Sequence, residues 1–254
     1  MNEIKEGHLD GIVIRDILSN DILGRILENF RDLIKQKEYA DLYFETPFGN
    51  SFGTTLMEDD LRAYYAKSIM VRRFLGELLE EDFDSFCTHF LSKMSGSSLV
   101  SAARNQEGKM FSPASIRILQ PGMKNLNAHV HQEFPRHFPS YAEIEKRVSM
   151  ETELSFYFQI IEPESGGELV LFDMKWEDTP AEMMSRDLVM SEERNKKLNA
   201  GKKMTVSLEP GDAVVFAANR IWHQVNQVKG GKKRFTLGGF LSFSKQENAW
   251  NYFF

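Results

Sequence analysis

From residue 115 onward the chain is a succession of short apolar or alternating runs, each closed by a turn signal. This texture constrains the fold more than any other feature. Alternation puts every second side chain on one face of a strand, and the turn residues keep each strand short. The pattern predicts strands at 115–120, 126–131, 152–161, 167–172, 204–208, 213–217, 222–227 and 234–244. Pro121 with Gly122, Gly166 with Gly167, Pro210 through Asp212, and Gly230 with Gly231 punctuate them. Strands of this kind in series make a β-sandwich or barrel.

The first 114 residues differ. A β-branched run at 11–17 suggests an opening strand, and Ser19 or Asn20 offers an N-cap. Ile22, Leu23, Ile26, Leu27, Phe30, Leu33 and Ile34 then recur at helical spacing, predicting a helix from Asp21 to about Lys37. Pro47, Gly49, Asn50 and Gly53 make 38–53 a loop, and further helices are predicted at 57–80 and 83–93. The expected organisation is one domain, 1–254, in which a helix-rich part (1–114) supports a β core (115–254). Two segments interrupt the strand rhythm. Residues 135–150 are polar and aromatic; 173–203 are highly charged, with a helical-looking stretch at 181–198. An insertion of that length is either a lid or a solvated surface helix.

Composition excludes some classes. Apolar residues make up 42% of the chain and aromatic residues 12%, enough for a packed core and against a disordered chain. A net charge of −6 and a pI near 5.6 argue against a sequence-independent nucleic-acid binder. The single cysteine, Cys87, rules out an internal disulfide and suits a reducing cytoplasm. The N-terminus lacks the pattern of a secretory signal, and no stretch has the apolar length of a membrane span.

The chemistry concentrates at 126–134, where His129, His131 and Glu133 follow at a spacing of two. On an extended strand all three face the same way. Of the six histidines, only these two and His223 lie on or beside the predicted strands of the β region. Two imidazoles and a carboxylate on one face leave positions open on a metal, an arrangement suited to non-haem Fe(II). Farther along, the turn at 210–212 leads into an apolar strand, His223 opens the next, a Gly-Gly turn follows, and Arg234 opens the last; Tyr157 lies in the middle of the 152–161 run.

In that order, the pieces resemble the Fe(II)/2-oxoglutarate-dependent oxygenases, in particular their prolyl-hydroxylase-like branch, over roughly residues 115–244. The resemblance implies an α+β, mainly β, fold: a double-stranded β-helix (jelly-roll) core of about eight strands with N-terminal supporting helices. It implies that His131, Glu133 and His223 hold the metal, and that Arg234 pairs with the distal carboxylate of 2-oxoglutarate, with Thr236 and Tyr157 beside it. The triad can also be drawn through His129 and His131 together; the motif register favours His131 with Glu133 and leaves His129 as a supporting or substrate-facing residue. A carboxylate at Glu133 also sets the chain apart from related halogenases, in which a small residue replaces it and halide takes its place.

The implied reaction uses Fe(II), 2-oxoglutarate and O₂ to hydroxylate an unactivated C–H bond. A small acidic chain without an appended recognition domain suggests a small polar metabolite such as a free amino acid, a monomer or homodimer in the cytoplasm, and neither nucleic acid nor membrane as partner. Arg72, Arg73, Arg136 and His137 are candidates to pair with a substrate carboxylate or are solvated surface charge. Hydroxylation of a peptide or protein, desaturation, and ring closure use the same machinery. The alternatives of a different class are a cupin-like metal-dependent isomerase or lyase without 2-oxoglutarate and a metal-free binding barrel.

Overall fold

The computed structural model describes residues 1–46, 49–123, 127–134, 136–184 and 192–254. After a one-turn helix α1 (Asn2–Lys5), the chain forms strand β1 (Gly11–Ile14) and helix α2 (Asn20–Leu33). Ser19 caps α2 by accepting from the Ile22 N–H, and the periodic residues Leu23, Ile26, Phe30 and Leu33 are its buried face. A 3-10 segment (Lys37–Leu42) leads into a hairpin, β2 (Tyr43–Thr46) and β3 (Gly49–Phe52), where the sequence suggests only loop. Helices α3 (Leu61–Leu79) and α4 (Phe83–Ser92) start at aspartate caps, Asp60 and Asp82, close to their predicted places. Strands β4 (Leu99–Ala102) and β5 (Ser115–Leu119) complete the first half.

The second half contains helix α5 (Pro139–Glu145), long strand β6 (Val148–Ile161), β7 (Leu169–Lys175), helix α6 (Glu192–Ala200), and strands β8 (Lys203–Val206), β9 (Ala213–Phe216), β10 (Ile221–Val225), β11 (Arg234–Ser244) and β12 (Ala249–Phe253). No strand forms at the described part of 126–131; residues 124–126 lie outside the described set, and His129 makes an isolated bridge to His223. The helical stretch expected at 181–198 is a 3-10 turn (Ala181–Met183) and α6, with 185–191 between them outside the described residues.

Nine strands form the large sheet, in the order β1-β9-β6-β11-β5-β3-β2, with β12 joined to β11 and β4 beyond it; β10-β7-β8 form a second, small sheet. The long central strands β6 and β11 carry two kinds of face. Phe158 and Phe235 point to the helices, their rings 4.7 Å from Phe90 and 4.9 Å from Phe30 respectively. On the opposite face of β11 the alternate residues are Arg234, Thr236, Gly238 and Phe240. Cross-strand partners share a face, so Arg117 opposite Thr236, and Tyr157 opposite both Gly238 and Val214, belong to that side. Gly238 has to be glycine, because a Cβ there would lie 2.1 Å from the Phe156 carbonyl oxygen. The helices thus cover one face of the large sheet with apolar contacts and leave the other for polar chemistry. This is the jelly-roll with supporting helices expected from the sequence. Among the described residues no helix is long and apolar enough to cross a membrane.

Candidate metal centre

The segment before the His131 turn lies against the entry to β10. His129 and His223 exchange both backbone hydrogen bonds at 2.9 Å, and the His131 N–H donates to Ala218 at 3.0 Å. These bonds bring three imidazoles together, with ring centres 4.3 Å apart for His129 and His223 and 5.1 Å for His131 and His223. One nitrogen from each ring lies within 4.8 Å of the others, and no other group of three or more His, Cys, Asp or Glu side chains among the described residues meets this condition.

Each Nδ1 has an acceptor. His129 Nδ1 faces the Asn127 carbonyl at 3.1 Å, His223 Nδ1 the Ile221 carbonyl at 2.9 Å, and His131 Nδ1 the carboxylate of Glu153 at 2.6 Å. Carbonyl and carboxylate oxygens only accept, so each Nδ1 carries the proton and each lone pair is on Nε2. Burial, and the neighbouring His131, push the His129 pKa down to about 3. Burial and the other two histidines hold His223 well below the ordinary histidine value. An imidazole that keeps its proton on Nδ1 and offers Nε2 is the form that ligates a divalent cation. Aromatic rings close the surroundings: Phe134 lies 4.6 Å and Phe240 4.9 Å from His131, and Phe216 5.0 Å from His223.

Glu133 is elsewhere. Residues His131–Glu133 form a 3-10 turn, so the two-residue periodicity of a strand ends at His131 and Glu133 leaves the common face. Its carboxylate is held bidentately by Arg194 of α6, at 2.6 and 3.2 Å. Arg194 is 1% exposed in its side chain; it also donates to the Ala128 carbonyl and sits 4.5 Å over the Trp222 ring. Burial raises the Glu133 pKa, and Arg194 offsets only part of that rise. The structure thus places Glu133, expected as a ligand, against a buried arginine and apart from the three histidines. The distinction from halogenases drawn from its carboxylate loses its footing for the same reason.

Arg234 and Thr236 are buried on the polar face of the large sheet, and the Arg234 guanidinium lies 4.9 Å from the centre of the Tyr157 ring. The Arg234 Nε and the Tyr157 hydroxyl are buried with no hydrogen-bond partner among the described residues. A cavity of about 220 Å³ borders Tyr157, Gln159 and Arg234 and reaches the turn around Gly166 and Gly167. Gly167, at φ +77°, closes on the arginine: a Cβ there would be 3.1 Å from Arg234 Cδ. Arg117 is a second arginine on this face, and burial followed by the charge of Arg234 pushes its pKa down to about 10. Sequence reasoning passed over Arg117; its signal was a single charge inside the otherwise apolar run 116–119. Glu153 was also missed, 22 residues from the histidine it faces. The candidate substrate arginines Arg72 and Arg73 are instead ion-paired, with Asp84 at 2.8 Å and Glu77 at 2.9 Å. Arg136 reaches Glu145 and Asn219, each at 3.5 Å.

Comparison with known proteins gives the following. No curated protein matches the sequence. Among solved structures, an N-substituted L-amino acid dioxygenase from Burkholderia ambifaria AMMD is similar at 15% identity and a TM-score of 0.66, over 100% of this chain and 89% of its own. A second structure of that dioxygenase, in complex with alpha-KG, gives 0.63 at 15% identity over the same shares. The non-heme alpha ketoglutarate dependent carbocyclase SnoK from nogalamycin biosynthesis gives 0.53 at 11% identity, over 95% of this chain and 86% of its own. At these identities the likeness is one of fold. The model of the family described as "Carrier-protein-independent halogenase WelO5" matches residues 1–254, the full length of the sequence. With the whole chain matched in this way, the protein belongs to the WelO5 family and is a non-haem iron enzyme that uses 2-oxoglutarate.

Proposed function

We propose that the protein oxygenates a small, free metabolite, with iron held by His129, His131 and His223. The observation that carries this reading is the convergence of three histidine nitrogens within 4.8 Å. Together with 2-oxoglutarate, these three side chains would hold an iron that keeps room for O₂. In the related halogenases a small residue stands where a carboxylate ligand would be; here a third histidine side chain lies with the other two. When bound, the iron, together with 2-oxoglutarate and O₂, supplies the oxidant for an unactivated C–H bond.

The protein's own residues bind and orient. Arg234 presents a planar fork to the distal carboxylate of 2-oxoglutarate, with the Thr236 and Tyr157 hydroxyls as further donors and Arg117 adding positive charge. The partnerless Arg234 Nε and Tyr157 hydroxyl fit an anion at this place. Phe134, Phe216 and Phe240 keep water from the histidines. Helix α6 is joined through Arg194 to the segment bearing His129 and His131, by bonds to Glu133 and to the Ala128 carbonyl. Two comparisons support a free metabolite such as an amino acid as substrate: the carrier-protein independence in the family's description, and the amino-acid substrate in the name of the Burkholderia enzyme.

The test is an aerobic screen of free and N-substituted amino acids with Fe(II) and 2-oxoglutarate, run in halide-free buffer and again with chloride or bromide. The expected result is succinate release coupled to a product heavier by one oxygen atom, unchanged by halide. A product that carries halogen, or turnover that requires halide, would overturn the oxygenase reading.

A further inference from the structure

Two of the three histidines donate their Nδ1–H to neutral backbone carbonyls; His131 donates to a carboxylate, and that bond, at 2.6 Å, is the shortest of the three. Glu153 lies on β6 and is 4% exposed. It stands four residues before Tyr157, so the strand period puts both on the face that bears the site. A carboxylate buried to this extent is stable only against a strong donor, and His131 is the donor it meets.

We propose that Glu153 is a positioning residue that supplies, through His131, the negative charge missing from an all-histidine ligand set. The inference rests on the reading that His129, His131 and His223 hold the iron. Three neutral imidazoles make a donor set one charge more positive than two imidazoles and a carboxylate. Glu153 returns that charge from one ring farther out. A carboxylate on the remote N–H of a ligating histidine fixes the ring and makes its metal-bound nitrogen a stronger donor. The same charge disfavours a second anion beside the iron, which works against halide.

The test compares Glu153→Gln and Glu153→Asp with the wild type. Glutamine keeps the size and a carbonyl acceptor for Nδ1–H but removes the charge; aspartate keeps the charge at shorter reach. For E153Q the Fe(II) dissociation constant is expected to rise about 10- to 100-fold. The anaerobic charge-transfer band with 2-oxoglutarate should move to shorter wavelength, because a less electron-rich metal gives up an electron less readily. The metal-free thermal midpoint should stay close to wild type, and E153D should recover much of the affinity. An unchanged band and affinity in E153Q would overturn the inference, as would equal impairment of E153Q and E153D. A measurement on wild-type protein guards against misfolded variants. In the Zn(II)-loaded protein the His131 Nδ1 proton is expected farther downfield than those of His129 and His223, and three alike would overturn the proposal. If wild type shows no band and His223→Ala binds Fe(II) as tightly, the metal reading itself fails and takes the inference with it; a normal wild-type band with an unaltered E153Q defeats the inference alone.

Discussion

Two buried carboxylates flank the histidine segment, and their partners give them different work. Glu133 is two residues from His131 yet meets Arg194; Glu153 is distant in sequence yet meets His131 directly. Sequence proximity favoured the first, and the fold joined the second. The two assignments separate experimentally. Glu133→Gln should leave Fe(II) affinity near wild type in an anaerobic titration, whereas His131→Ala should abolish tight binding; loss of Fe(II) in Glu133→Gln would restore Glu133 to the ligand set. At the other end of the site, Arg234→Ala would remove the charged hydrogen bonds to the co-substrate that the proposed function assigns to it. The 2-oxoglutarate concentration for half-maximal turnover should then rise on the order of 10- to 100-fold, with Fe(II) binding kept. Equal loss of both would count against a separate carboxylate anchor.

Among the elements, α6 has the most to gain from one side chain. Its exposed face is strongly polar, and Arg194 and Leu198 are what it buries. Removing one member of a buried pair leaves the other charge unpaired, so Arg194→Ala should cost about 3–5 kcal/mol in denaturant unfolding. Adding Glu133→Gln to that variant should restore part of the loss; strictly additive costs would mean that the two residues do not interact. The elements that the sequence revealed are those with strong local signals: α2, α3 and α4 through capped apolar periodicity, and β5 to β11 through alternation between turns. The β2–β3 hairpin was hidden because Pro47, Gly49, Asn50 and Gly53 mark a loop, and it is held mainly by the pairing of β3 with β5 and by Phe52 against Phe30 and Phe74. The parallel pair β4–β12 was hidden because its partners stand some 150 residues apart, as Ala249 opposite Leu99 shows. At the site, the sequence contained the three histidines, but the register turned on where an extended segment ends. The 3-10 turn at His131 ends the extended segment there, through contacts to Ala218 and Arg194 that no local pattern announces.

At the scale of the whole molecule, the buried histidines tie stability to pH. In metal-free protein, His129 has a folded pKa of about 3, and His223 is also depressed by burial. An unfolded chain takes up these protons near the ordinary histidine pKa of about 6.5. The unfolded state therefore binds more protons between the two values, and stability falls as pH drops from about 6.5 towards 3. The thermal midpoint of metal-free protein should decline over that range, and His129→Gln should decline less steeply; parallel curves would contradict the assigned burial effect. The paired backbones of His129 and His223 have a consequence of another kind. The two ligand segments are tied to each other by the same hydrogen bonds that build the rest of the fold, so their ordering entropy is lost when the chain folds. An ion held by the three histidines, as proposed, would enter a mould already cast. Its binding energy would go into selecting and holding the metal and little of it into shaping the protein, unlike a domain that takes form around its ion.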